Sequence, residues 1–367
     1  METLSIKKGR IIIYRLFDVA SEINLSLVEA QAREGTKRLR LSKHPYMKAL
    51  EFTNPPVSFE LQGFDKHLFD KEIKVSIIAK AYDFGVISIA FDIPIPAGTA
   101  FTGIETVSKA LDSDVSIYQK AREYVSNLVQ TLGNAVISPG IKEEFEEDYM
   151  IFFIEGIEPA MEASRFLSIY DPSRLLLYET QDVSLYTKEE TLKHRFSYYP
   201  NDLVILHLDN AFVIEPSGSS DIIDILEFAN AQLLELRYYD HVLDKELSLI
   251  YSELPKQKRV SVFRLRAYER LAKKLTVTVT DLTEVTEKVD NALKVTEDVY
   301  YAKIYRSAMT LFRSSDWESS IKGKLQIVTN TYKMLYDEIS NRRGHLLELW
   351  IIILIVIEII LLMVIEW

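Results

Sequence analysis

The pattern of apolar and polar positions divides the chain into three parts. Up to about residue 216, short apolar runs of strand length alternate with helical periodicity. From 217 to 345, apolar residues recur in steps of three and four, which is typical of long helices. From 346 to 367 nearly every position is apolar. The pattern predicts an α/β domain at 1–216, a helical stalk at 217–345 and a transmembrane helix at 346–367.

The first part predicts a small mixed sheet. Four runs rich in β-branched and aromatic residues have strand length, at 10–17, 73–82, 86–93 and 149–154. Helical patterns occupy 24–33 and 103–132, and further strands are predicted at 195–199, 203–208 and 211–214. The first six elements follow the order of a ferredoxin-like domain. The expected fold class is α+β: a ferredoxin-like N-terminal α/β domain, then long antiparallel, coiled-coil-like helices and a C-terminal transmembrane helix.

A heptad seam marks the beginning of the helical part. Its members are Ile222, Leu226, Ala229, Leu233, Leu236, Asp240, Leu243, Leu247, Ile250 and Leu254. A polar layer accompanies it, made of Asn230, Arg237, Asp240 and Asp244. This layer could bind a partner or substrate, but a single polar seam position more often fixes the register of a helical bundle. The spacing of Arg237 and Asp240 also permits an intrahelical ion pair.

A basic segment follows Pro255. Its candidate contact residues for phosphate groups or an acidic partner are Lys256, Lys258, Arg259, Arg264, Arg266 and Arg270. They could bind lipid headgroups, a nucleic-acid backbone or protein carboxylates, and a solvated helix face is an equally good interpretation. The net charge of −11 gives no strong nucleic-acid signal for the chain as a whole.

The C-terminal segment favours a membrane span. As a helix it would rise roughly 33 Å, enough for a hydrocarbon core of about 30 Å. Arg342 and Arg343 precede it, so the positive-inside rule predicts a single-pass inner or cytoplasmic membrane protein with its N-terminal domains on the cytoplasmic side. The expected lipid and oligomer contacts are Glu348, Trp350, Glu358 and Trp367.

Glu358 is an ionisable residue within this apolar segment, which by default suggests a function. It could be protonated and hydrogen-bond to a neighbouring copy, or it could line an ion path. One apolar segment per chain favours a homo-oligomer.

No motif for catalysis, a cofactor or a metal stands out. The chain has no cysteine, its six histidines have no paired spacing, and no phosphate-binding glycine loop occurs. An acidic run at 143–148 fits a solvated loop better than a calcium loop. We therefore predict no catalytic residues, no cofactor and no metal site, and we favour a protein that is not an enzyme.

Four segments carry a family resemblance: YDFGVISIAF (82–91), ANAQLLELRYYDHVLD (229–244), NALKVTEDVYYAKIY (291–305) and LLELWIIILIVIEI (346–359). They resemble the proteins called "required for meiotic nuclear division". The resemblance implies a membrane-anchored, oligomeric protein without known catalytic activity. Eukaryotic relatives lie in the mitochondrial inner membrane and support organellar translation, which implies a protein or ribosome-associated partner.

The combined prediction is a tail-anchored, oligomeric membrane scaffold or tether with a cytoplasmic α/β docking domain. The alternative is a membrane-bound enzyme or ion-linked factor that uses Glu358 or the layer of Arg237, Asp240 and Asp244.

Overall fold

A computed structural model describes residues 4–33, 40–41, 54–141, 145–253, 273, 280 and 298–365. The chain divides into two compact units. The first consists of Met1–Tyr238 and Lys288–Ser315, and the second of Tyr239–Glu287 and Asp316–Trp367. The division falls inside a long helix, whereas the sequence analysis placed its first boundary at residue 216.

The described residues form 12 strands and 9 α-helices. The strands are β1 Ser5–Asp18, β2 Glu22–Ile23, β3 Arg40–Leu41, β4 Val57–Leu68, β5 Lys71–Ala81, β6 Val86–Ile95, β7 Thr99–Ala100, β8 Val136–Ile137, β9 Glu146–Glu158, β10 His194–Phe196, β11 Leu203–Leu206 and β12 Asn210–Ile214. The helices are α1 Leu25–Arg33, α2 Phe101–Asp112, α3 Val115–Leu132, α4 Ala163–Ile169, α5 Ser173–Leu176, α6 Leu185–Thr191, α7 Asp221–Glu253, α8 Val299–Leu311 and α9 Ser314–Ile365.

A ten-stranded sheet organises the first unit, with the order β10-β11-β12-β9-β1-β6-β5-β4-β3 and with β7 paired to β1. Neighbouring strands are antiparallel except β12 and β9, which are parallel. The strands β2 and β8 form a separate small sheet. The longest central strands, β1 and β9, are apolar through most of their length because both of their faces are buried.

Each face of the sheet has its own helical cover. Alternate residues such as Ile11, Ile13 and Phe17 belong to the main core, which also contains buried side chains of α2 and α3. The residues between them face the other way. Tyr14, for example, is buried and donates its hydroxyl to the carbonyl of Ile223 on α7 at 3.0 Å. A sheet buried on both faces explains the continuous apolar runs of the sequence.

The predicted ferredoxin-like α+β fold is wrong, because the structure is a mixed α/β arrangement with a far larger sheet. The strand β4 was missed. Only its first three residues are buried, and the rest alternates between partly buried and exposed positions. That pattern gives a weak apolar signal, so the sequence analysis predicted no element over these 12 residues.

The predicted long helices are present as α7, with 33 residues, and α9, with 52 residues. The predicted seam positions of α7 from Ile222 to Ile250 are all buried, including Asp240. The last predicted seam position, Leu254, lies outside the described residues.

The predicted C-terminal transmembrane helix is wrong. Among the helices that the structure describes, none combines the length and apolar character that crossing a membrane requires. The tail-anchored membrane class and the single-pass inner or cytoplasmic membrane location predicted from this segment are therefore wrong as well.

Candidate functional site

A pocket lies at one end of the sheet in the first unit. We call it the tyrosine–carboxylate pocket, and it is lined by Tyr198, Tyr199, Asn201, Asp202, Glu215, Pro216, Ser217, Asp298, Tyr300 and Tyr301. Its volume is about 400 Å³, which is within the range of small-molecule sites. Three short segments build it: the loop between β10 and β11, the residues after β12, and the beginning of α8.

Two carboxylates hold the backbone of the pocket. Asp202 accepts hydrogen bonds from the backbone N–H groups of Tyr198 and Tyr199, at 2.7 and 2.9 Å. Asp298 caps α8 by accepting from the N–H groups of Tyr300 and Tyr301, at 2.8 and 3.4 Å. The same acids that fix the loop and the helix therefore also place negative charge in the pocket wall.

The four tyrosine rings form a continuous aromatic wall. The rings of Tyr198 and Tyr300 meet edge to face with centroids 5.4 Å apart. Tyr199 packs on Tyr198 at 4.9 Å, and Tyr301 lies 5.6 Å from Tyr300. These contacts join the β10–β11 loop to α8 across about a hundred residues of sequence. Aromatic pairs of this geometry are favourable beyond their buried area.

The pocket is electrostatically negative. Asp202, Glu215 and Asp298 line it, and none of its described lining residues is a lysine or arginine. Burial raises the pKa of the Tyr300 hydroxyl, and the negative charges of Asp202 and Glu215 raise it further. The buried Tyr300 hydroxyl therefore holds its proton more tightly than an ordinary tyrosine does.

A second polar cluster joins the sheet to α7. The Lys80 ammonium on β5 lies 2.5 Å from carboxylate oxygens of both Asp224 and Glu227. Burial alone would lower the pKa of Lys80, but the two carboxylates outweigh it and the pKa is raised well above its usual value. Ser88, directly opposite Lys80 on β6, is buried, and its hydroxyl has no hydrogen-bond partner among the described atoms. The cluster is a charged clamp in an otherwise apolar interface.

Another ion pair links β9 to α7. Glu147 forms a salt bridge with Arg237, and its side chain is mostly buried. Burial raises the pKa of Glu147 to about 6, although the positive charge of Arg237 acts in the opposite direction. Arg237 thus has a partner on a strand, in addition to any pairing along its own helix.

The predicted polar layer is divided between the two units. Asn230 donates to the carbonyl of Leu226 one turn earlier on α7, at 2.8 Å. In the second unit, Lys324 of α9 lies 2.8 Å from Asp240 and 2.7 Å from Asp244. Ser320 donates to Asp240 at 2.6 Å. Asp240 and Asp244 therefore share one lysine in the second unit. Asn230 and Arg237 belong to the first unit.

The other predicted site residues lie on α9 or outside the description. Glu348, Trp350 and Glu358 are exposed on α9, and Glu348 is 3.2 Å from His345. Trp367 and the basic residues Lys256, Lys258, Arg259, Arg264, Arg266 and Arg270 lie outside the described residues.

Sequence reasoning missed both the tyrosine–carboxylate pocket and the Lys80 clamp. The pocket has a faint signal in the sequence: Tyr198–Tyr199 and Tyr300–Tyr301 are adjacent pairs, each close to an aspartate. Nothing in a single sequence joins pairs that lie so far apart. In the sequence, Lys80 occupies a polar position of an alternating strand, which usually faces solvent. In the structure α7 covers it, and the residues next to Lys80 in sequence give no sign of this contact.

Residues 8–221 match the family described as "Uncharacterized protein MJ0711, N-terminal domain". The match covers more than half of the chain, so the chain belongs to this family. One relative is the uncharacterized protein MJ0711 of Methanocaldococcus jannaschii, which is 27% identical over 221 residues, covering 60% of this chain and 66% of the relative. No solved structure matches the chain. The resemblance to the "required for meiotic nuclear division" proteins stays a prediction, since neither match concerns that family.

The family match includes nearly all of the sheet, Lys80 but not its partners Asp224 and Glu227, and one wall of the pocket, from Tyr198 to Ser217. The opposite wall, formed by Asp298, Tyr300 and Tyr301, lies beyond the matched residues.

Proposed function

We propose that the chain is a self-associating scaffold, in which α9 assembles several copies and the first unit serves as a docking module. The observation that carries this proposal is the surface of α9. Its large apolar side chains are widely exposed, with Leu347 at 64%, Trp350 at 61% and Leu354 at 61%. Contiguous apolar patches of this kind mark interaction sites.

The extent of this surface fits an interface between proteins. Almost every side chain from Leu347 to Leu361 is apolar and exposed. The surface consists of 15 consecutive residues, and a standard interface between proteins buries about 800 Å² on each side. A helix that is apolar on all sides needs neighbours on more than one side.

A second copy of α9 is the partner that best matches this surface. It offers the same length of apolar helix, so all of the exposed side chains find equivalent partners in a symmetric bundle. Glu358 is the one acid in the middle of the surface. In such a bundle the Glu358 carboxyl groups of neighbouring copies lie at the same level, where shared protons and hydrogen bonds lower the cost of burying them.

The polar layer supports a scaffold over the enzyme alternative. Asp240 and Asp244 are occupied by Lys324, and Asp240 also accepts from Ser320. A satisfied layer of this type sets the alignment of helices. It leaves less room for these carboxylates to act on a substrate.

The test is the oligomeric state of the full chain. We expect sedimentation velocity, in buffer and in mild detergent, to show a species larger than the monomer. The variant Ile353→Lys/Ile357→Lys places two charges one turn apart on α9 and should shift the protein to smaller species. The matched control is Leu185→Lys, an exposed apolar residue on α6 in the first unit. A monomer at all concentrations, or equal effects of the two variants, would contradict the proposal.

A further inference from the structure

The tyrosine–carboxylate pocket has no part in self-association through α9, because its walls belong wholly to the first unit. We propose that it binds the alkylammonium group of an organic cation. Its four aromatic rings, three carboxylates and defined volume are the features from which this follows.

The charge of the pocket selects a positive ligand. An anion would meet the carboxylates of Asp202, Glu215 and Asp298, and the lining residues that the structure describes include no lysine or arginine to attract it. A neutral apolar ligand would remove water from these carboxylates without forming a hydrogen bond or an ionic contact to replace it. A cation is favoured for two reasons. The carboxylates attract it, and its ionic contact with them replaces the water that they lose.

The tyrosines select an organic cation over a metal ion. The faces of aromatic rings attract ammonium groups within about 6 Å of the ring centroid, and cages of such rings recognise alkylated ammonium ions. A metal ion would instead need converging oxygen or nitrogen ligands. Within the described parts of the chain, no group of three or more histidine, aspartate or glutamate side chains could hold one.

The environment of Tyr300 and Tyr301 gives further support. Burial raises the pKa of Tyr301, and Asp221, which accepts its hydroxyl at 3.2 Å, adds to the effect together with Glu215. The hydroxyl of Tyr300 is buried and makes no hydrogen bond to any described atom. The aromatic wall therefore lies in a negative field.

The Asp298 carboxylate caps α8, so the positive end of the helix dipole offsets part of this one charge, and the charges of Asp202 and Glu215 remain. Tyr198 and Tyr199 are each more than 60% exposed, so the pocket opens to solvent and a ligand can enter without unfolding. The ammonium group could belong to a free amine or to a modified lysine of another protein, since the chemistry is the same.

Calorimetric titration of the full chain tests this proposal with three probes: tetramethylammonium, spermidine and a peptide that carries one trimethyllysine. Potassium chloride is the inorganic control. We expect saturable binding of at least one organic probe, with potassium acting only by general screening. Binding of the free ions indicates a small-molecule amine, and binding of the peptide alone indicates an amine presented by a protein.

Two variants connect binding to the pocket. Tyr198→Ala removes an exposed ring, and Glu215→Gln removes one charge while keeping the shape of the side chain. Each should weaken binding about tenfold. The matched controls are Tyr186→Ala and Glu189→Gln, which change an exposed tyrosine and an exposed glutamate on α6 and should bind as the unaltered chain does. No saturable binding of any organic probe, or binding that both pocket variants leave unchanged, would overturn the proposal.

Discussion

The sheet of the first unit and the C-terminal half of α9 differ in how far their apolar side chains are buried. The sheet covers both of its faces with helices from its own chain, and central residues such as Phe152 and Ile151 are fully buried. From Leu347 to Leu361, α9 leaves its apolar side chains exposed. The first region completes its core within one chain, whereas the second, under the self-association that we propose, is covered by a partner. Stability of the first region should therefore depend on internal charge pairs, and that of the second on association.

The largest effect should come from breaking the clamp between the sheet and α7. Lys80→Met leaves Asp224 and the buried Glu227 without their shared cation, at a cost of about 3 kcal/mol in the free energy of unfolding. Chemical denaturation of the full chain measures this loss. Lys71→Met, at an exposed position of the same strand, is the control.

If Lys80→Met does not fold, Lys80→Met/Glu227→Met distinguishes the cause. Removal of the fully buried acid should restore much of the stability, because it removes the uncompensated charge. A double variant as unstable as the single one would show that packing, and not charge, controls this interface.

The next effect is a pH dependence that arises from Glu147. Its pKa is raised to about 6 in the folded chain, against an ordinary value of 4.5. The folded state therefore binds the proton more tightly than the unfolded state does. The associated stability is fully present below pH 4.5 and is lost as the pH rises through 6, a change of about 2 kcal/mol.

Denaturation curves between pH 4 and 7 test this assignment. Glu147→Gln should remove that part of the slope, and Glu123→Gln, at an exposed position on α3, should leave it unchanged. Identical slopes in Glu147→Gln and the unaltered chain would exclude Glu147 as the titrating group.

A smaller effect is expected in the second unit. Lys324→Met removes the cation that joins Asp240 and Asp244, and we expect a loss of about 1.5 kcal/mol because Asp244 is largely solvated. Hydrogen exchange of the α9 amides near residue 324 measures the local opening. Lys322→Met, whose partner Glu318 forms a more exposed pair, should cost less than about 0.5 kcal/mol. Equal protection in the two variants would argue against a structural role for the layer.

The predictable parts of the fold are those where burial leaves a local pattern. β1, β6 and β9 have continuous apolar runs because both of their faces are covered, and α7 has a buried seam over most of its length. β4 was missed because it is half exposed. The size of the sheet could not be predicted, since strand order depends on contacts between distant segments, such as the parallel pairing of β12 with β9.

The site depended even more on distant contacts. Lys80 and Glu227 are separated by 147 positions, and their pairing gives no local signal. Two adjacent tyrosines in a sequence usually indicate ordinary surface or core positions, so the tyrosine pairs of the pocket did not indicate a site. By contrast, the apolar composition of 346–367 gave a strong local signal, and the class of protein inferred from it was wrong.

Asp298 has two roles, since its carboxylate caps α8 and the same residue lines the pocket. Any occupant that draws charge from this carboxylate must alter the hydrogen bonds to the first amides of the helix. The backbone resonances of Tyr300 and Tyr301 are thus built-in reporters: a spectroscopist can follow occupancy at the helix terminus without placing a label in the pocket.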